Sequence, residues 1–156
     1  MTIGWRRPDI PHPLDGFGFV VPQVERRPVI ACTFSSVKYP GRAPEGFALL
    51  RVFVGGALNE AILAGDDATL TRVARAELGE LLGVQAPPLF SRVSRYPKAM
   101  PQYHVGHLAR VDAIEGCLRA HSGLALAGGA YRGVGIADCV RSGEEAAEQL
   151  LDGHTS

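Results

Sequence analysis

Four glycines crowd into eight residues toward the end of the chain, Gly128-Gly-Ala-Tyr-Arg-Gly-Val-Gly135, and their flanks leave few alternatives for the local fold. Before them, Leu124-Ala-Leu-Ala127 is wholly apolar and reads as a short buried strand. After them, Ile136 to Leu151 reads as a helix with Ile136, Val140, Ala147 and Leu150 or Leu151 turned inward. A glycine-rich turn at a helix N-terminus leaves backbone N–H groups without partners, and the missing Cβ atoms let a ligand approach the main chain. That geometry suits a phosphate or the polar edge of a flavin. It is not the GxGxxG dinucleotide fingerprint. Gly133-Val-Gly135 with Asp138, and Gly16-Phe-Gly18 with Val21, both lack the third glycine at the required spacing. On spacing alone, a plain packed turn fits these residues at least as well as a cofactor loop.

Upstream, the apolar residues come in short runs. Phe17–Val21, Val29–Phe34 and Phe47–Val54 are rich in β-branched and aromatic residues and read as strands. Pro22–Pro28 and Ser35–Gly46 read as loops short enough for an antiparallel meander. Few strand positions alternate with charges, which predicts cover on both faces of the sheet. Asp66 or Asp67 then caps a helix whose Leu70, Val73, Ala74, Leu78, Leu81 and Leu82 share one stripe, and Gly83 ends it. This stripe is read as core packing. Leu89 to Tyr96 predicts a short strand, and Gly106 to Ala120 a helix with a poorer stripe of Leu108, Val111, Ile114, Glu115 and Leu118.

Glycine and proline together make up 30 of the 156 residues, so turns are frequent. A chain of this length buries ~70% of its extended surface and needs no staples. Lys and Arg number 16 against 16 Asp and Glu, which removes the electrostatic footprint of a nucleic-acid-binding protein. No apolar run is long enough for a transmembrane segment. Three cysteines without CxxC spacing, Cys32, Cys117 and Cys139, signal neither a disulfide framework nor a zinc ribbon and suit a reducing cytoplasm.

Three segments, taken in order, resemble one family. Asp15-Gly-Phe-Gly-Phe-Val-Val-Pro22, with Thr33-Phe-Ser-Ser36 and Arg42-Ala-Pro44, is similar to the substrate-domain strands of protoporphyrinogen oxidases, within the flavin-containing amine oxidase superfamily. Pro101-Gln-Tyr-His-Val-Gly-His107 resembles the family's Pro-Gln-Tyr segment. Gly128 to Cys139, continued by Ser142-Gly-Glu-Glu-Ala-Ala147, resembles its C-terminal FAD-contacting motif. The resemblance implies an α+β fold: an antiparallel sheet with a covering helix over residues 1–100, then a helix, strand, glycine turn and helix over 101–156 that would complete an FAD-binding domain.

By the same resemblance Gly129, Gly133, Val134, Gly135 and Ile136 would line FAD, and Gln102 and Tyr103 would lie near the flavin and substrate or serve as packing anchors. The flavin would abstract hydride from a porphyrinogen, protoporphyrinogen IX or coproporphyrinogen III, in haem biosynthesis. No catalytic residue of the protein itself is implied. The family's N-terminal GxGxxG half has no counterpart here, so the chain reads as a C-terminal portion, inactive and weak in FAD binding alone. Its partner would be the missing half or a second copy. The expected location is cytoplasmic, with peripheral membrane association of the parent left open. A non-catalytic binding or oligomerisation module built from the same piece is the rival reading.

Other groups carry less. His104 with His107, and Cys117 with His121, have helical spacing but no closed ligand set, so no metal site is expected. Cys139 reads as a small hydrophobe rather than a nucleophile. Arg92, Arg95 and Lys98 could attract a propionate but fit a solvated strand edge better.

Overall fold

Burial alternates along the strand Phe47–Val54 (β4): Ala48, Leu50 and Val52 are buried, whereas Phe47, Arg51 and Phe53 are exposed. Successive side chains of a strand point to opposite faces, so this pattern makes the sheet one-sided. The computed structural model describes residues 1–56, 59–97 and 99–152 and divides them into two compact units, Met1–Arg95 and Tyr96 onward.

The first unit is a five-stranded antiparallel sheet in the order β2-β3-β4-β1-β5, formed by Thr2–Arg6 (β1), Gly18–Val20 (β2), Val29–Phe34 (β3), β4 and Phe90–Arg92 (β5). Strands β2 to β4 form the expected meander. Strand β1 was not legible in the sequence, because Gly4 interrupts it, Arg6 ends it with Arg7 directly after, and its partner β4 lies far along the chain. It nonetheless inserts between β4 and β5, with Ile3 opposite Leu50 and Trp5 opposite Ala48. Arg7 then fastens the proline-rich connection by donating to the carbonyls of Ile10, His12 and Pro13 at 2.7, 3.0 and 2.8 Å.

The buried face meets the helix Asp67–Leu82 (α2). Ile3, Trp5, Val29, Cys32, Phe34, Leu50 and Val52 share one core with Ala74, Leu78 and Leu82, each large side chain contributing roughly 1.5–3 kcal/mol by leaving water. Asp66 caps α2 by accepting from Thr69 N–H at 2.8 Å, and Gly83 ends it in the left-handed region at φ 72°. Arg27 ties the β2–β3 connection to the helix through Glu77 and Glu80.

Several expectations are corrected here. The sheet is not covered on both faces among the described residues: Phe47, Arg51 and Phe53 on the far side of β4 are exposed, so a scarcity of charges did not mark a second covering layer. Residues 35–46 are not all loop: Ser35–Lys38 forms one helical turn (α1). The strand expected over Leu89–Tyr96 is confined to Phe90–Arg92, since β1 offers only Thr2 to Gly4 as partners.

The second unit holds two helices, His107–Leu118 (α3) and Ile136–Asp152 (α4). Leu124–Ala127 forms no strand: a strand exists by pairing, and no partner segment lies among the described residues. Among the described residues of this unit, Val111 is the one buried apolar side chain. Ile136 and Val140, expected inward, are 85% and 55% exposed, and the half-buried side of α4 instead carries Cys139, Ser142, Ala146 and Leu150. Gly153 to Ser156, read in the sequence as a frayed end, lie outside the described residues.

Gly18, at φ 139°, is where β2 crosses β3 so closely that an added Cβ would fall on the Cys32 carbonyl oxygen. Gly18→Ala is expected to lower the stability of the first unit by ~1 kcal/mol or more. Gly16→Ala, which meets nothing within 4 Å, is expected to stay within ~0.5 kcal/mol of the parent. Urea unfolding of the two variants checks this.

Candidate functional site

The glycine turn belongs to the second unit and is held from both sides. From α4, Ser142 Oγ accepts from Gly128 N–H at 2.8 Å and donates to the Cys139 carbonyl at 3.0 Å. Gly128 sits at φ 111°, the only residue of the turn in the left-handed half of the map. The backbone freedom that glycine supplies is therefore used there, and not at Gly133 or Gly135. Those two are glycines for space. A Cβ at Gly133 would lie 2.5 Å from the Asp138 carboxyl group, and one at Gly135 would lie 2.9 Å from Asp138 Oδ2. Asp138 stands in the first turn of α4, where a carboxylate is favoured by the helix dipole, and is steadied by Arg141 at 2.5 Å.

From α3 and the connector before it come two aromatic side chains. Gly106, at φ 82°, turns the chain into α3, and the first residue of that helix, His107, stacks on Tyr103 with ring centroids 3.9 Å apart and 10° between planes. Tyr103 Oη donates to the Gly129 carbonyl at 2.6 Å, and His107 Nε2 lies 2.6 Å from the Tyr131 carbonyl. Since a carbonyl only accepts, His107 presents an N–H at Nε2. Arg132 closes the turn against α3 by donating to Glu115 at 3.0 and 2.7 Å and to Asp112 at 2.7 Å. Hydrogen bonding from Arg132 holds the Glu115 carboxyl below its ordinary range.

The residues singled out in the sequence thus occupy one local structure. Gly129, Gly133, Val134 and Gly135 lie in the turn, Ile136 opens α4, and Val134 and Ile136 expose their side chains. Tyr103 touches the turn through Gly129, whereas Gln102 bonds only to the Met100 carbonyl in its own connector, at 3.3 Å. His107 is engaged by the turn and Arg132 by α3. Among the described residues no cluster of His, Cys, Asp and Glu could hold a metal ion. Cys32 is buried and desolvation pushes its thiol up to about 12, while Cys139 Sγ faces the Gly133 carbonyl at 3.9 Å. Neither has the activating surroundings of a nucleophile.

Sequence reasoning missed a second surface, the open face of the sheet in the first unit. Pairing lines up Gly18, Thr33, Arg51, Thr2 and Arg92 in one row across the sheet, with Leu49, Gly4 and Phe90 in the next and Phe47 beside Arg6. Arg6, Arg51 and Arg92 are exposed, and none pairs with a carboxylate among the described residues. Phe47, Phe53 and Phe90 are 43%, 41% and 50% exposed between them. The available signal was the parity of Phe47, Leu49, Arg51 and Phe53. Arg95, grouped with Arg92 in the sequence, is instead occupied by Asp67 and the Gly65 carbonyl, and Lys98 lies outside the described residues.

The model of the family described as flavin containing amine oxidoreductase matches residues 2–151. The chain belongs to this family. Coproporphyrinogen III oxidase of Staphylococcus aureus is 32% identical over 152 residues, covering 97% of this chain and 33% of the relative. The mitochondrial protoporphyrinogen oxidase of Nicotiana tabacum is 29% identical over 150 residues, 94% of this chain and 30% of that protein. A crystal structure from Exiguobacterium sp. 255-15, provisionally assigned as a protoporphyrinogen oxidase, superposes with a TM-score of 0.82 at 31% identity over 97% of this chain and 34% of that one. The chain therefore spans about a third of the length of these relatives. Membership of the flavin-containing amine oxidoreductases implies a flavin cofactor. No helix among the described residues is long and apolar enough to cross a membrane.

Two outcomes are expected in solution. A thiol reagent should label exposed Cys117 rapidly and Cys32 only on unfolding, as peptide mapping after brief labelling would reveal. Because the carboxyl group of Glu115 is lowered in the folded state, its contribution is present above the ordinary carboxylate range and lost as pH falls through the lowered value. Amide shifts of Arg132 and Gly133 followed through an acid titration should report that loss, and Arg132→Ala should abolish it.

Proposed function

We propose that this chain supplies the substrate-facing sheet and the C-terminal flavin-contacting turn of an FAD-dependent porphyrinogen oxidase of haem biosynthesis, with coproporphyrinogen III as the substrate. The observation that carries the reading is the open sheet face. It combines exposed phenylalanine rings with three arginines that pair with no carboxylate among the described residues. A porphyrinogen is a broad apolar macrocycle rimmed with propionates, and guanidinium groups pair with carboxylates in fixed geometry. Of the two porphyrinogens, coproporphyrinogen III is the tetrapropionate and makes fuller use of three cations.

The glycine turn fits part of a flavin and not its pyrophosphate. The Asp138 carboxylate against Gly133 and Gly135 opposes an anion at this helix N-terminus, while it can accept hydrogen bonds from hydroxyl groups such as those of a ribityl chain. Val134 and Ile136 offer apolar cover to a ring edge. When bound, the flavin supplies hydride abstraction from the macrocycle. The residues of this chain bind and orient: the arginines hold the propionates and the phenylalanines exclude water from the ring. The pyrophosphate would be held by an N-terminal half, which is the proposed partner of this chain. Three free cysteines agree with a reducing cytoplasm.

On this reading the chain alone takes up little FAD, because the ordering costs of binding fall on one wall of the site. The purified chain should be colourless, and a yellow protein with stoichiometric flavin would overturn that part. The sheet face is tested with coproporphyrin III, the air-stable oxidised macrocycle, by fluorescence titration. Binding should exceed that of protoporphyrin IX and weaken about tenfold in Arg51→Ala combined with Arg92→Ala. Equal binding by the parent and the double variant would remove the substrate assignment and leave the non-catalytic module.

A further inference from the structure

We propose that Tyr103 and His107 act as a positioning pair that aims two backbone amides of the glycine turn, those of Ala130 and Arg132. The two stacked rings present donors to the carbonyls of Gly129 and Tyr131, each at 2.6 Å. These are long-range contacts, 26 and 24 residues apart, made by side chains that stack on each other, while His107 N–H donates to the His104 carbonyl at 3.0 Å.

A peptide group is planar and, among the described residues, trans, so its N–H points opposite to its C=O. Turning the Gly129 carbonyl toward Tyr103 therefore turns the Ala130 N–H away from the ring pair. Turning the Tyr131 carbonyl toward His107 does the same for the Arg132 N–H. Neither amide donates to any group among the described residues. The other ties of the turn, from Ser142 to Gly128 N–H and from the Arg132 guanidinium to Glu115 and Asp112, do not engage these two peptide groups. The turn has one weak internal backbone bond, from Tyr131 N–H to the Gly128 carbonyl at 3.4 Å, and no strand pairing precedes it. Ala130 and Arg132 are exposed, so burial does not hold their peptide planes. The pair thus turns two donors toward acceptor atoms on the side away from the rings.

The chemical class of acceptor follows from the flavin reading, on which this step rests: carbonyl or ring nitrogen atoms of FAD. The test separates the pair from that reading. Tyr103→Phe and His107→Phe each keep an aromatic ring and remove one donor. 15N relaxation of the full chain, followed by NMR, should show the order parameters of the Ala130 and Arg132 amides falling from about 0.85 to below about 0.6 in either variant, with Val111 in α3 and Leu50 in β4 unchanged. Unchanged order in the turn would overturn the proposal. So would an equal loss of order in α3, which would make the stack a general packing contact. In a second arm FAD is added to the labelled chain. Shifts of the Ala130 and Arg132 amides that are seen in the parent and lost in the double variant would support the positioning role. If the order parameters respond as expected but FAD moves neither amide in the parent, the pair stands and the flavin acceptor falls.

Discussion

Everything in the first unit depends on the pairing of β1 with β4. Inserted between β4 and β5, β1 puts Ile3 and Trp5 against α2 and sets Thr2 beside both Arg51 and Arg92 on the opposite face. A shift of one residue would exchange those two sets. The same register that buries the core therefore assembles the cationic row, and no residue can be optimised for one without holding for the other. Gly4 shows the compromise. A side chain there would strike the Phe90 ring, so the strand gives up a residue of good β-propensity and the exposed aromatic covers the gap.

How much of this was legible in the sequence follows from how local each signal is. Helix α2 was readable to its ends because Asp66, the leucine stripe and Gly83 are all local features whose physics does not depend on the rest of the chain. The meander β2 to β4 was readable for the same reason. Strand β1 and the open face were not, since both are defined by partners far away in sequence. The error on Leu124–Ala127 is of the same kind in reverse: four apolar residues have the composition of a strand, but composition provides no ladder.

The candidate site shows the same division. That Gly133 and Gly135 permit close approach was legible. What approaches them within the chain is the Asp138 carboxylate, and a residue three to five positions away along a turn-helix junction cannot be assigned to that role without coordinates. Likewise Tyr103 was singled out with Gln102, and His107 with His104, yet the groups that Tyr103 and His107 bond are carbonyls some twenty-five residues on. The family resemblance supplied the region; the hydrogen bonds supply the reason these residue types stand there.

The two units differ in what holds them, and that difference bears on function. The first has a continuous apolar core. The second has one buried apolar side chain among its described residues and is fastened mainly by polar ties: Tyr103, His107, Arg132 and Ser142 to the turn and its neighbours. Exposed hydrogen bonds and ion pairs are each of modest net worth, so such a structure opens locally at low free energy. A ligand that binds only the ordered turn then adds RT ln(1 + [L]/Kd) to its stability. The order it induces is worth most where packing contributes least. On the proposed reading, placing the glycine turn in the weakly packed unit couples cofactor occupancy to local order, whereas the sheet of the first unit is held by its own apolar core.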